Sequence, residues 1–146
     1  MADEMALLVA DIFEAAGALR RSGESLARAE GLTQARWQVL SVASDEPVTV
    51  ARAARRLGVT RQNVQRVAND LVALGQAEYR SNPDHRGSPL LTLTPGGRDS
   101  LERIRDRASA IHRTLGAELP DEEIREARSF IRRLLAELGA YEARNP

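Results

Sequence analysis

The stretch TRQNVQRVANDL, residues 60–71, gathers Arg61, Gln62, Asn63, Gln65, Arg66 and Asn69 within three helical turns. Val64, Val67, Ala68 and Leu71 are interleaved with them at helical spacing, so one face of a helix is apolar and the polar tips share the opposite side. A guanidinium can grip the two acceptors on the major-groove edge of guanine, and a carboxamide can pair with adenine. No acid occurs in this helix before Asp70, so nothing on the polar face repels phosphate. A face kept only for solubility normally mixes Glu, Lys and Arg, and this one has no Glu. Thr60 precedes the helix as its N-cap and borders the same surface, so it joins the candidates for a double-stranded-DNA contact.

A second group lies in NPDHRGSP, residues 82–89, a run of turn formers between two short segments able to alternate as strands. Arg86 at the tip of such a loop can enter a minor groove, where the negative potential is strong. Asp84, two residues earlier, is expected to orient Arg86 through a charge-assisted hydrogen bond.

These groups need elements to hold them. Thr49 can cap a short helix over 50–57, and Gly58 suits the left-handed position that stops it. Two short helices joined by Leu57-Gly58-Val59 make a helix-turn-helix, whose second member, running to about Leu74, lies in the major groove. QAEYRS (76–81) and LLTLT (90–94) form the hairpin, with a further short strand near Val48. A long helix over 5–29 precedes this middle, followed by one from Thr33 to about Ser44. Thr94-Pro95 starts another helix, to about Leu115, and Pro120-Asp121-Glu122-Glu123 starts the last, expected to end at Gly139. The fold class is therefore mainly α with a small β-hairpin wing (α+β): a winged helix-turn-helix with long N- and C-terminal helices. Residues 32–99 are read as the DNA-binding region, and residues 1–31 and 100–146 as helical flanks, whose amphipathic stripes must bury against each other or, as a dimerisation region, against a second subunit.

Composition narrows the function. With 146 residues the chain can bury a core without staples, and with no Cys it has no disulfide, thiolate metal site or thiol redox sensor. Net charge is zero, yet residues 51–98 carry 8 Arg against 3 acids while residues 1–50 carry 4 Arg against 8 acids. Positive charge is thus concentrated on the expected reading region, which is what matters for a polyanion partner. The N-terminus is acidic and no apolar run approaches the ~18 residues of a membrane span, so the expectation is a cytoplasmic protein with no membrane partner. No phosphate loop, nucleophile elbow or clustered carboxylate pair is present, and His85 and His112 stand far apart. The chain is read as no enzyme, with no cofactor and no metal.

The stretches LTQARWQVL (32–40), VTVARAARRLGVTRQNVQRVANDLVALGQAEY (48–79) and NPDHRGSPLLTLTPGGRDSL (82–101) resemble the MarR (multiple antibiotic resistance regulator) family of winged-helix transcription factors. The last contains an Asp-x-Arg wing followed by a Leu-Thr-x-x-Gly helix start. The resemblance implies that the first, fifth and sixth helices form a homodimer and that two recognition helices read a pseudo-palindrome, most often as a repressor. It also implies a small-molecule effector, for which Trp37 and His112 are candidates to line a crevice; from the pattern alone Trp37 reads as a core anchor and His112 as a surface residue. Gly87-Ser88-Pro89 departs from the family pattern, and Pro89 is expected to shorten the second wing strand. The alternatives to a DNA-binding regulator are a winged-helix protein-interaction module and a ligand sensor with little DNA role.

Overall fold

The computed structural model describes residues 3–146. Six helices and one hairpin follow in the order α1 (Glu4–Arg28), α2 (Gln34–Asp45), α3 (Val50–Leu57), α4 (Arg61–Ala73), β1 (Ala77–Arg80), β2 (Leu90–Leu93), α5 (Pro95–Glu118) and α6 (Asp121–Arg144). The fold is mainly helical with a small antiparallel wing, as the residue pattern implied. Two compact units divide the chain, Met1–Arg107 and Ala108–Pro146, and α5 runs through the boundary.

Asp3 caps α1 through the Met5 N–H, and threonine caps set the starts of α2, α3, α4 and α5. The hydroxyls of Thr33, Thr49 and Thr60 accept the N–H of Arg36, Arg52 and Asn63, and Thr94 accepts that of Gly97, each within 3.1–3.2 Å. Each satisfies a backbone donor that a helix start would otherwise leave unpaired. Gly58 ends α3 with φ +68°, and its N–H and that of Val59 return to Ala54. That left-handed residue makes the turn between α3 and α4 tight enough to set the two helices against each other.

The core of this unit is aliphatic. Leu40, Leu71, Leu91, Leu101, Ile104, Val39, Val48 and Val64 are its largest fully buried side chains. β1 pairs with β2 from Ala77↔Leu93 to Arg80↔Leu90, and Val48 adds a bridge to Leu91. The bridge ties the segment before α3 to the wing. β2 begins directly after Pro89, as expected of a residue with no N–H to give a ladder. Trp37 is half-buried and packs against the core, next to Gly23 of α1, where an added Cβ would sit 2.9 Å from Gln34 and 3.4 Å from the indole.

The α1–α2 turn is fastened to α5 by charge. Glu30 accepts from Arg103 Nε at 2.8 Å and Arg107 Nε at 3.1 Å, and its side chain is only 11% exposed. These two hydrogen bonds, Arg103 first, hold its carboxyl below the usual value of 4.5. A carboxyl with a lowered folded-state pKa stabilises the fold above its unfolded value and loses that contribution as pH falls through the folded one. Wild type is therefore expected to unfold at a higher temperature than Glu30→Gln at neutral pH. The gap should close as pH drops below about 4.5, and a gap independent of pH would remove the clamp from the account.

The second unit consists of the end of α5 and α6. Both helices run past their expected ends, about Leu115 and Gly139. α5 continues through Gly116, and α6 runs through Gly139 to Arg144 rather than ending there. A glycine inside a helix costs only about 1 kcal/mol and stops it only where the chain turns left-handed. Neither residue has positive φ, and Ala140, Glu142, Ala143 and Arg144 favour continuation. α6 has no buried residue in the isolated chain, with Leu135 54%, Leu138 49% and Tyr141 58% exposed. Along α1, Phe13 and Leu19 are likewise 72% and 67% exposed.

Candidate nucleic-acid interface

α4 buries Val64, Val67, Ala68 and Leu71 and leaves Thr60, Arg61, Gln62, Gln65, Arg66 and Asn69 exposed, with Asn63 half-buried. All the polar residues singled out from the sequence therefore stand on or beside one outward surface. Thr60 uses an oxygen lone pair to cap the helix and keeps its O–H available as a donor. Asn63 Oδ1 accepts from Arg66 Nη2 at 2.8 Å, which aims the guanidinium along the helix.

Three acids nearby are spent on internal pairs. Asp70, the only acid in α4, meets Arg36 of α2 at 3.4 Å. Asp45, the last residue of α2, and Glu46, its C-cap, meet Arg56 and Arg52 of α3 at 3.4 and 3.1 Å. Arg55, Arg61, Arg66 and Arg86 take part in no ion pair among the described residues. Their positive charge is left for an external anion, and an exposed cation keeps most of its hydration until one arrives.

The wing is organised differently from the expectation. No bond joins Asp84 to Arg86 among the described residues. The loop is instead built by Asn82, whose Oδ1 accepts the Asp84 N–H at 3.1 Å and whose Nδ2 donates to the Ser88 carbonyl at 3.0 Å. Asn is well suited to this because its short amide can close a turn on its own backbone at both ends. Asp84 contributes a backbone donor rather than a carboxylate, and Arg86 stands exposed at the tip without that support. An open cleft of about 330 Å³ separates wing and helices, lined by Thr49 and Val50 at the start of α3, by Arg61, Gln62 and Gln65, and by Gly87 to Pro89.

Tyr79 was not among the sequence-derived candidates. Its hydroxyl, on β1, donates to Asn69 Oδ1 and accepts from Gln65 Nε2, both at 2.8 Å. Burial of the ring raises its pKa above the ordinary phenol value, against a lowering by the Gln65 bond, so it keeps the proton it donates. The period-two pattern of AEYR, with Ala77 and Tyr79 on one side, carried the signal that Tyr79 faces inward toward α4. Of the two crevice candidates, Trp37 belongs to the first unit and His112 is exposed in the second. No group of three or more His, Asp or Glu side chains is placed to hold a metal ion, and no helix is long and apolar enough to cross a membrane, among the described residues.

Comparison with known proteins places this surface in context. A family model described as MarR family matches residues 30–87, the stretch from the α1–α2 turn to the wing tip. An uncharacterised protein of Mycobacterium tuberculosis is 57% identical over 140 residues, covering 96% of this chain and 98% of its own. Among solved structures, Sco5413, a MarR family transcriptional regulator from Streptomyces coelicolor, superposes with a TM-score of 0.79 at 24% identity, covering 96% of this chain and 99% of that one. CouR from Rhodococcus jostii, solved with p-coumaroyl-CoA bound, superposes with a TM-score of 0.76 at 19% identity, covering 90% and 92%.

Proposed function

The chain belongs to the MarR family of DNA-binding transcriptional regulators, and from that premise we propose that it acts as a homodimer on a pseudo-palindromic operator, as a repressor. The observation that carries this reading is the outward surface of α4, where guanidinium and carboxamide tips stand together and the one acid is paired away with Arg36. In a helix-turn-helix the second helix enters the major groove, and Arg61, Gln62, Asn63, Gln65, Arg66 and Asn69 are the side chains within its reach. Thr60 would donate to a phosphate at the groove edge, and Arg86 would contact the adjacent minor groove. Residues 32–99 would bind DNA, while residues 1–31 and 100–146 would form the dimer. The apolar side chains left exposed along α1 and α6 support that role.

CouR was captured with an acyl-thioester ligand. By analogy we extend the proposal to a small-molecule effector that releases DNA, with Trp37 and His112 as candidates to contact it.

Selection of bound duplexes from a random pool tests the core reading. The expected product is a symmetric motif with half-sites one helical turn apart, bound less tightly as salt rises. A chain that enriches no sequence would refute it. Arg86→Ala is expected to weaken binding to all duplexes and to flatten the dependence of log affinity on log salt by about two units, one for each protomer, measured by fluorescence anisotropy. An unchanged slope would exclude the wing from contact.

A further inference from the structure

Three polar atoms from the wing and the recognition helix meet in a closed triangle. Tyr79 donates its proton to Asn69 Oδ1 at 2.8 Å, and Gln65 Nε2 lies 2.8 Å from the tyrosine oxygen and 3.1 Å from the same Asn69 oxygen. The carbonyl oxygen of an asparagine has two lone pairs. Here two donors that are themselves 2.8 Å apart crowd one side of that oxygen, so the Nδ2 amide group of Asn69 is the part left free to engage a ligand. With Gln65 as it stands, turning the Asn69 amide over would set its nitrogen against the Gln65 nitrogen, donor against donor.

Building on the DNA reading proposed above, we infer that Tyr79 is a specificity-determining positioning residue that makes Asn69 a donor-only reader. An unrestrained asparagine reads adenine by accepting from N6 and donating to N7 at once. With its oxygen committed, Asn69 cannot make that pair. It favours base edges that offer acceptors alone: guanine, with N7 and O6, or thymine, with O4. Cytosine, which offers a donor, is refused. Because both contacts of Gln65 Nε2 lie on one side, its oxygen and its second N–H stay outward, so the restraint acts on Asn69 more than on Gln65. The tyrosine acts without touching DNA, through the orientation of a neighbouring amide.

The test compares wild type, Tyr79→Phe and Asn69→Ala in the same random-duplex selection. Asn69→Ala marks the symmetric pair of positions that Asn69 reads. At those positions wild type should disfavour adenine and cytosine by about tenfold against guanine or thymine. Tyr79→Phe keeps the ring, and so the packing and the melting temperature, but should admit adenine there while leaving the rest of the motif intact. Side-chain amide NMR of the free wild-type protein reads the triangle without any variant: the Gln65 and Asn69 NH2 signals should lie away from their random-coil positions. The inference is overturned by random-coil signals, by a Tyr79→Phe motif identical to wild type, or by an Asn69→Ala motif that loses no position. A wild-type chain with no sequence preference would instead overturn the DNA reading beneath it, whatever the NMR shows.

Discussion

Leu135→Asp combined with Leu138→Asp is expected to convert a dimer into monomers and to lower affinity for a selected operator by about 100-fold or more. Both leucines lie in α6, a helix of 24 residues that buries none of them within its own chain. Soluble monomers rarely leave so much large apolar surface exposed, and here it recurs along α1 and α6. A second copy of the chain is the covering that the proposed function requires. A carboxylate placed in the middle of an apolar contact must be desolvated without a partner, which outweighs what the remaining contacts supply. Because neither leucine belongs to the intrachain core, the circular-dichroism spectrum should change little. The loss in DNA affinity follows from linkage rather than from any lost contact with DNA. Two reading surfaces joined in one dimer bind the second half-site at a high effective concentration, and a monomer has to bind each half-site alone. Light scattering and anisotropy titrations decide it together. A double variant that stays dimeric at micromolar concentration would move the interface elsewhere, and a monomer with full operator affinity would remove dimerisation from the mechanism.

The helices and the wing could be read from the chain because their signals are local. Thr33, Thr49, Thr60 and Thr94 each precede a helical apolar pattern, and each caps a helix in the folded protein. Gly58 and Gly75 fall where the backbone turns left-handed, with φ of +68° and +74°. The face of α4 could be read for the same reason, since helical periodicity alone separates Val64, Val67 and Leu71 from Arg61, Gln65 and Asn69. Gly139 misled because glycine is a weak signal unless the residues after it also leave the helix, and these do not. Asp84 and Arg86 were joined by proximity in sequence, whereas in the loop the amide of Asn82 reaches both ends of the turn first. Which polar groups are used up inside the protein depends on elements far apart in the chain. Asp70 is neutralised by Arg36, 34 residues away, and Asn69 is restrained by Tyr79, 10 residues away across a turn. Local patterning identifies the residues that face outward, and only tertiary pairing tells which of their atoms remain free.

Gly97→Ala is expected to destabilise the fold by about 3 kcal/mol, while the same change one residue earlier, Gly96→Ala, should be neutral or mildly stabilising. Both glycines lie in the first turn of α5, where alanine is ordinarily the better helix former by up to about 1 kcal/mol. Their surroundings differ. A Cβ on Gly96 would meet only ordinary contacts, the Gly75 carbonyl at 3.7 Å and Thr94 Oγ1 at 3.8 Å. On Gly97 it would overlap the carbonyl oxygen of Gln76, with the carbonyl carbon at 2.8 Å. That carbonyl already accepts the Thr94 N–H at 3.1 Å, and Thr94 Oγ1 in turn donates to the Gly75 carbonyl at 2.6 Å. The obstacle is therefore hydrogen-bonded backbone, which cannot swing aside as a side chain would. Relief would have to come from shifting the Gly75-Gln76 turn, and that turn fixes where the wing leaves α4. The same shift would carry Tyr79 away from Asn69 and Arg86 away from the groove. So Gly97→Ala should lower the melting temperature by about 10 °C and weaken selective DNA binding in the fraction that folds. Equal melting temperatures for the two alanine variants would mean that the joint between α4, the wing and α5 is looser than its close backbone approach implies.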